Sequence, residues 1–238
     1  MTDFKINTKL GKTDTIVGVV IDMSGSMGGI AQATRDGYNE YISSLKADKD
    51  LGDVKVTLTV FDSGWDQKPN IDVVYNATPL EHVPVLTESV YKPRGGTPLC
   101  DAMGATIHRT EEALKNYKGN PNVLLVIITD GKENSSKEFS KVQISKMVKE
   151  KESQGWTTIY LGANHDSWAA GASIGIASGN TLNYSASNIR KGAFEKVARG
   201  TSSYRAVAST TCDYMTQSFF ADAGLTEDEE EKKDGETT

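Results

Sequence analysis

Four apolar runs rich in β-branched residues punctuate the chain: TIVGVVI (15–21), VKVTLTVF (54–61), VLLVIIT (123–129) and WTTIYLGA (156–163). An unbroken apolar run of this length marks a strand buried on both faces, because successive side chains point to opposite sides of a sheet. Between the runs lie segments with helical spacing. Ile30, Thr34, Tyr38, Tyr41, Ile42 and Leu45 share a face over 30–47, as do Leu99, Met103, Ile107 and Leu114 over 98–117. Ile144, Met147 and Val148 point a third helix inward over about 137–153. Strands joined through helices form right-handed crossovers. The pattern therefore predicts a doubly wound α/β fold: a mostly parallel central sheet with helices on both faces. The run IDVVYN, close behind the second strand across a Pro- and Asn-containing loop, predicts a hairpin and hence one antiparallel edge strand.

Farther along, a small-residue helix through Ala169–Ala172, a short strand at TLNY and an amphipathic helix from about Asn188 continue the alternation. One domain spans 14–205, after an N-terminal extension at 1–13. In 206–225 the spacing of Val207, Cys212, Met215 and Phe219, continuing from Tyr204, suggests a helix docked on the body. Residues 226–238 form an acidic tail, expected to be disordered.

Charge narrows the functional classes. The net charge of −6 is uneven: the tail holds seven acids against two lysines, leaving −1 for everything before it. A nearly neutral body lacks the basic excess of a nucleic-acid binder, and no apolar run approaches the ~18 residues of a membrane span. The start, MTDFKINTKLGKTD, has no apolar signal core, and the two cysteines, Cys100 and Cys212, are far apart. Together these features predict reduced thiols and a cytoplasmic setting.

In a doubly wound sheet, ligands bind where loops leave the carboxyl ends of the strands. The first run ends in IDMSGSMGG (21–29), the third in ITDG (128–131), and RGGTP (94–98) stands just before a predicted helix. These three loops bring Asp22, Ser24, Ser26, Thr97 and Asp130 to one sheet edge, a set made entirely of oxygen donors. Taken alone, the first loop fits a phosphate cradle, a helix cap or a metal site. Thr97-Pro98 also reads as an N-cap followed by proline at the first helical position. Asp101 reads as a stabiliser of that helix start or as the holder of a metal-bound water. The loop lacks the lysine of a P-loop and the leading glycine of a dinucleotide fingerprint. His82, His108 and His165 share no ligand spacing.

Asp22-x-Ser24-x-Ser26, Thr97 and Asp130, in this order and at these places, resemble the von Willebrand factor A domain family and its metal-ion-dependent adhesion site. The character is closer to bacterial and bacteriophage members than to animal integrins. The resemblance implies that these five residues bind a divalent cation, Mg²⁺ with Mn²⁺ and Ca²⁺ as alternatives. It further implies that a protein partner presents an Asp or Glu to the ion, and that the chain is not an enzyme. Hard cations suit such hydroxyl and carboxylate oxygens. Trp65, Tyr91 and Arg94, with Lys92, border the predicted site and are candidates for partner contact, whereas Trp168 is expected to pack a helix onto the sheet. Two other readings stand beside this one: a metal-dependent phosphoryl-transfer or hydrolytic enzyme, and a self-assembling protein whose Glu229–Glu231 tail reaches a neighbouring copy. The adhesion reading predicts a monomer or weak self-association.

Overall fold

The computed structural model describes residues 14–48, 52–64, 66–115, 117, 119–163, 167–185, 188–207 and 218–222. Six strands form one sheet: β1 (Thr15–Asp22), β2 (Val54–Ser63), β3 (Pro69–Pro79), β4 (Asn122–Thr129), β5 (Trp156–Gly162) and β6 (Thr181–Asn183). Their spatial order is β3-β2-β1-β4-β5-β6. Every neighbouring pair is parallel except β2 with β3. The helices are α1 (Ala31–Ala47), α2 (Leu99–Lys115), α3 (Lys141–Ser153), α4 (Ser167–Ser173), α5 (Glu195–Val207) and the short α6 (Phe219–Asp222).

The alternation of side chains along β1 explains why its sequence is apolar throughout. Val17, Val19 and Ile21 face a core shared with Tyr38, Tyr41 and Leu45 of α1 and Val197 of α5. Ile16 and Val20 face the opposite core, with Met103 and Ile107 of α2 and Ile144 and Val148 of α3. Both faces are dry, so neither parity tolerates a polar run. In α1, Gly37 admits the Phe194 ring: a Cβ there would lie 2.3 Å from the ring carbon Cδ2.

The antiparallel edge strand is longer than IDVVYN suggests. It begins and ends in proline, and two register shifts interrupt its pairing with β2. Prolines and bulges at an edge discourage further strand pairing. The third helix starts later than expected, at Lys141, where Ser140 and Gln143 form a reciprocal capping box. Residues 137–139 are held elsewhere, as described below. The strand in TLNY and the helix around Ala169–Ala172 are present as β6 and α4. Trp168 corrects its expected role: it is 39% exposed on α4 and does not seal that helix to the sheet.

The extension at 1–13, the tail at 226–238, Trp65, His165 and Cys212 lie outside the described residues. So does most of 206–225, although Phe219 and Phe220 are buried, and the Phe219 N–H donates to Asn180 Oδ1 at 2.8 Å. Among the described residues, no helix is long and apolar enough to cross a membrane.

Glu152, near the end of α3, is half-buried, and its Oε1 has no hydrogen-bond partner. Burial raises its carboxyl from 4.5 to about 7, against a smaller opposing pull from Lys149. The unfolded chain ionises this group first, so its contribution to stability is full below pH 4.5 and is lost as the pH rises through about 7. Glu152→Gln is therefore expected to stabilise the chain at pH 8 by about 1 kcal/mol, a value limited by solvent screening. Urea unfolding at pH 8 and pH 4 checks this; an equal effect at both would contradict it.

Candidate metal-binding site

At the carboxyl end of β1 the chain meets the point where strand order reverses, since β1 connects onward to β2 on one side while β4 flanks it on the other. Asp22 sits there, fully buried. Its Oδ1 accepts the Ser24 N–H at 2.7 Å, and its Oδ2 accepts the Thr129 hydroxyl at 2.5 Å. The first bond turns the chain out of the strand, and the second ties β1 to β4. The chain then passes through a tight helical turn, Gly25–Ile30, into α1. Ser24 occupies the N-cap position of that turn, yet its side chain caps nothing. Its Oγ lies 3.1 Å from Ser26 Oγ, and Ser26 Oγ donates to Asp130 Oδ1 at 2.7 Å. The capping explanation of these hydroxyls therefore fails, and they point at each other and at the second carboxylate.

The Thr97 loop is fastened to this turn and to the end of β2 by backbone bonds. The Arg94 N–H donates to Met23 O at 2.8 Å, the Gly25 N–H to Gly95 O at 3.0 Å and the Ser63 N–H to Gly96 O at 3.1 Å. Gly95 has φ +64°, and a Cβ there would lie 1.6 Å from Ser63 O, so only glycine fits. Thr97, 2% exposed, is thereby delivered to the site. A point beside Gly131, where a Cβ would stand, lies 3.0 Å from Thr97 Oγ1, 3.5 Å from Asp22 Oδ2 and 3.6 Å from Ser26 Oγ. Oxygens from the first two loops thus converge on the backbone of the third.

A reciprocal network fixes the third loop to the start of α2. Asn134 Oδ1 accepts the Thr97 N–H, Glu133 Oε2 the Cys100 N–H and Ser136 Oγ the Asp101 N–H. In return, the buried Asp101 carboxylate accepts the N–H groups of Lys137, Glu138 and Phe139 at 2.7–2.9 Å. Asp101 therefore anchors the loop before α3, and α3 itself begins where Ser140 and Gln143 form the capping box.

Burial raises the Asp22 carboxyl to about 6; its bonds from Thr129 and Ser24 oppose the shift, and the neighbouring Asp130 adds to it. Asp130 is likewise raised by burial, against the Ser26 bond. Among the described residues no three His, Cys, Asp or Glu side chains cluster as a metal set. The converging donors are instead two carboxylates and three hydroxyls.

A von Willebrand factor type A domain model matches residues 17–198, more than half of the chain. The chain belongs to that family. Solved structures agree at the level of fold. The pilus adhesin SpaC of Lactobacillus rhamnosus GG, in its open conformation, is similar with a TM-score of 0.57 and 15% identity, over 80% of this chain and 30% of that one. Proximal thread matrix protein 1 from the mussel byssus gives 0.53 and 12%, over 79% and 45%. Manganese-loaded TRAP protein of Plasmodium vivax gives 0.51 and 14%, over 74% and 70%. The vWA chain thus spans less than half the length of the first two. No curated protein sequence matches it.

The flanking residues divide. Tyr91, expected at the partner surface, is fully buried, and its hydroxyl donates to the Asp22 backbone carbonyl at 2.6 Å; it braces the site from beneath and cannot face a partner. Arg94 is half-exposed, with its Nε on Asp62 Oδ2 at 2.5 Å. Thr129 and the Glu133-Asn134-Ser136 cluster escaped the sequence reading. The polar run KENSS after ITDG was their only local signal.

Removing the Asp101 carboxylate strands three backbone N–H groups at once. Asp101→Ala is expected to cost about 2–4 kcal/mol in urea unfolding. An unchanged midpoint would show that the loop is held by other bonds.

Proposed function

We propose that the chain is a divalent-cation-dependent protein-binding module. Asp22, Ser24, Ser26, Thr97 and Asp130 hold Mg²⁺, with Mn²⁺ or Ca²⁺ as substitutes, and a partner protein contributes an Asp or Glu. The observation that carries this reading is the convergence of Thr97 Oγ1, Asp22 Oδ2 and Ser26 Oγ around one point beside Gly131. Small hard cations select oxygen donors, and neutral hydroxyls supply them without cancelling the ion's charge. The bound ion would supply an exposed positive centre for an anionic ligand. This chain's residues then set the rest: Asp22 is oriented by Thr129 and Ser24, and Asp130 by Ser26. That the TRAP structure carries manganese supports a cation in this fold.

The exposed Lys92 and half-exposed Arg94 flank the Thr97 loop and favour an acidic partner surface. Trp65, outside the described residues, stays a candidate contact on sequence grounds alone. We read the chain as non-enzymatic. Hydrolysis would need a general base, and the two histidines among the described residues sit elsewhere. His82 follows β3 at the opposite end of the sheet, and His108 packs edge-on against Phe139.

Capture of a protein from lysate on the immobilised chain is expected in Mg²⁺, with release by EDTA. Thr97→Ala and Asp130→Ala should each lower capture at least tenfold, while their thermal unfolding without metal stays within a few degrees of the parent. Capture that is indifferent to EDTA and to both substitutions would refute the module.

A further inference from the structure

Tyr184 is the first residue after β6, and its N–H donates to Gly162 O at 2.9 Å. Thr129 is in register with Gly162, and Gly162 with Asn183. One residue on, Asp130, Ala163 and Tyr184 therefore form the next row across three strand ends. The middle member is alanine, the smallest side chain of the three. The Tyr184 ring belongs to the core on the α1 and α5 face of the sheet, and Ala163 packs against that core. The ring is 4% exposed, yet its hydroxyl has no hydrogen-bond partner. A phenolic hydroxyl this deep normally has one. Burial holds the Tyr184 phenol well above the usual tyrosine range, and Asp130, then Tyr91 and Asp22, add to that shift.

We propose that Tyr184 is a positioning residue of the cation site, its hydroxyl joined through one buried water to the Asp130 carboxylate on the β4–β5 side. This rests on the cation-site reading above. Ser26 already donates to Asp130 Oδ1 from the first loop. A second donor from the β6 side holds the carboxylate from two directions, so that its remaining lone pairs keep one orientation. Buried waters commonly satisfy such stranded groups. Partners that orient ligand carboxylates also commonly alter metal affinity by 10- to 100-fold.

The test is an Mn²⁺ titration followed by electron paramagnetic resonance on the full chain, for the parent, Tyr184→Phe and Asp130→Asn, with urea unfolding of each without metal. Tyr184→Phe is expected to weaken Mn²⁺ binding about tenfold. Its metal-free midpoint should be unchanged or higher, because only an unbonded hydroxyl is lost. Affinity within twofold of the parent, with Asp130→Asn still impaired, overturns the role of Tyr184 and leaves the site intact. A parallel fall in affinity and metal-free stability assigns Tyr184 to the core and also overturns it. Failure of the parent to bind Mn²⁺ overturns both readings.

Discussion

The bond from Thr129 to Asp22 joins the last residues of two adjacent central strands across 107 positions of sequence. It places a buried carboxylate at the point where the sheet's connections part. A carboxylate in such a place is costly unless its oxygens are engaged. Here one oxygen takes the Thr129 hydroxyl and the other takes the Ser24 backbone N–H, so the same group that costs burial energy also bends the chain away from β1. The direction of the first loop, and with it the placement of Ser24 and Ser26, follows from that pair of bonds. Tyr91 secures the same residue from below, through its backbone carbonyl.

The other two loops depend on each other in a comparable way. The start of α2 gives its unpaired N–H groups to Glu133, Asn134 and Ser136, while Asp101 of that helix returns three acceptor contacts to the following loop. Helix starts always leave such donors to be satisfied. In this chain a neighbouring loop satisfies them, which makes the position of Thr97 inseparable from the course of residues 131–139. The site is thus held by loops bonded to loops above a rigid sheet, an arrangement suited to keeping convergent oxygens in place before a cation arrives.

Much of this was legible in the sequence. The four central strands stand out because burial on both faces removes polar residues from both parities, and the Asp-x-Ser-x-Ser, Thr and Asp motifs stand at the ends where topology places ligands. What was not legible is long-range. Tyr91 looked like a surface residue because Lys92 and Arg94 beside it are exposed; only the fold shows its ring turned under Asp22, 69 positions away. The early start expected for α3 followed helical periodicity alone, whereas the Ser140–Gln143 capping box sets its first turn at Lys141. Trp168 went astray for the converse reason: a residue type that is buried on average lies on a short helix that leaves it half open. Tyr184 sits in a polar stretch, NYSAS, with no motif around it, and its place in one row with Asp130 emerges only from the register of β4, β5 and β6.

The central claim is that three loops hold one cation at a single place, and diffraction tests it most directly. Crystals of the chain soaked in Mn²⁺ and measured where manganese scatters anomalously should show one dominant peak, among Ser24, Ser26 and Thr97 and beside Asp22 and Asp130. A dominant peak elsewhere, or none at saturating Mn²⁺ with the three loops ordered, would contradict it.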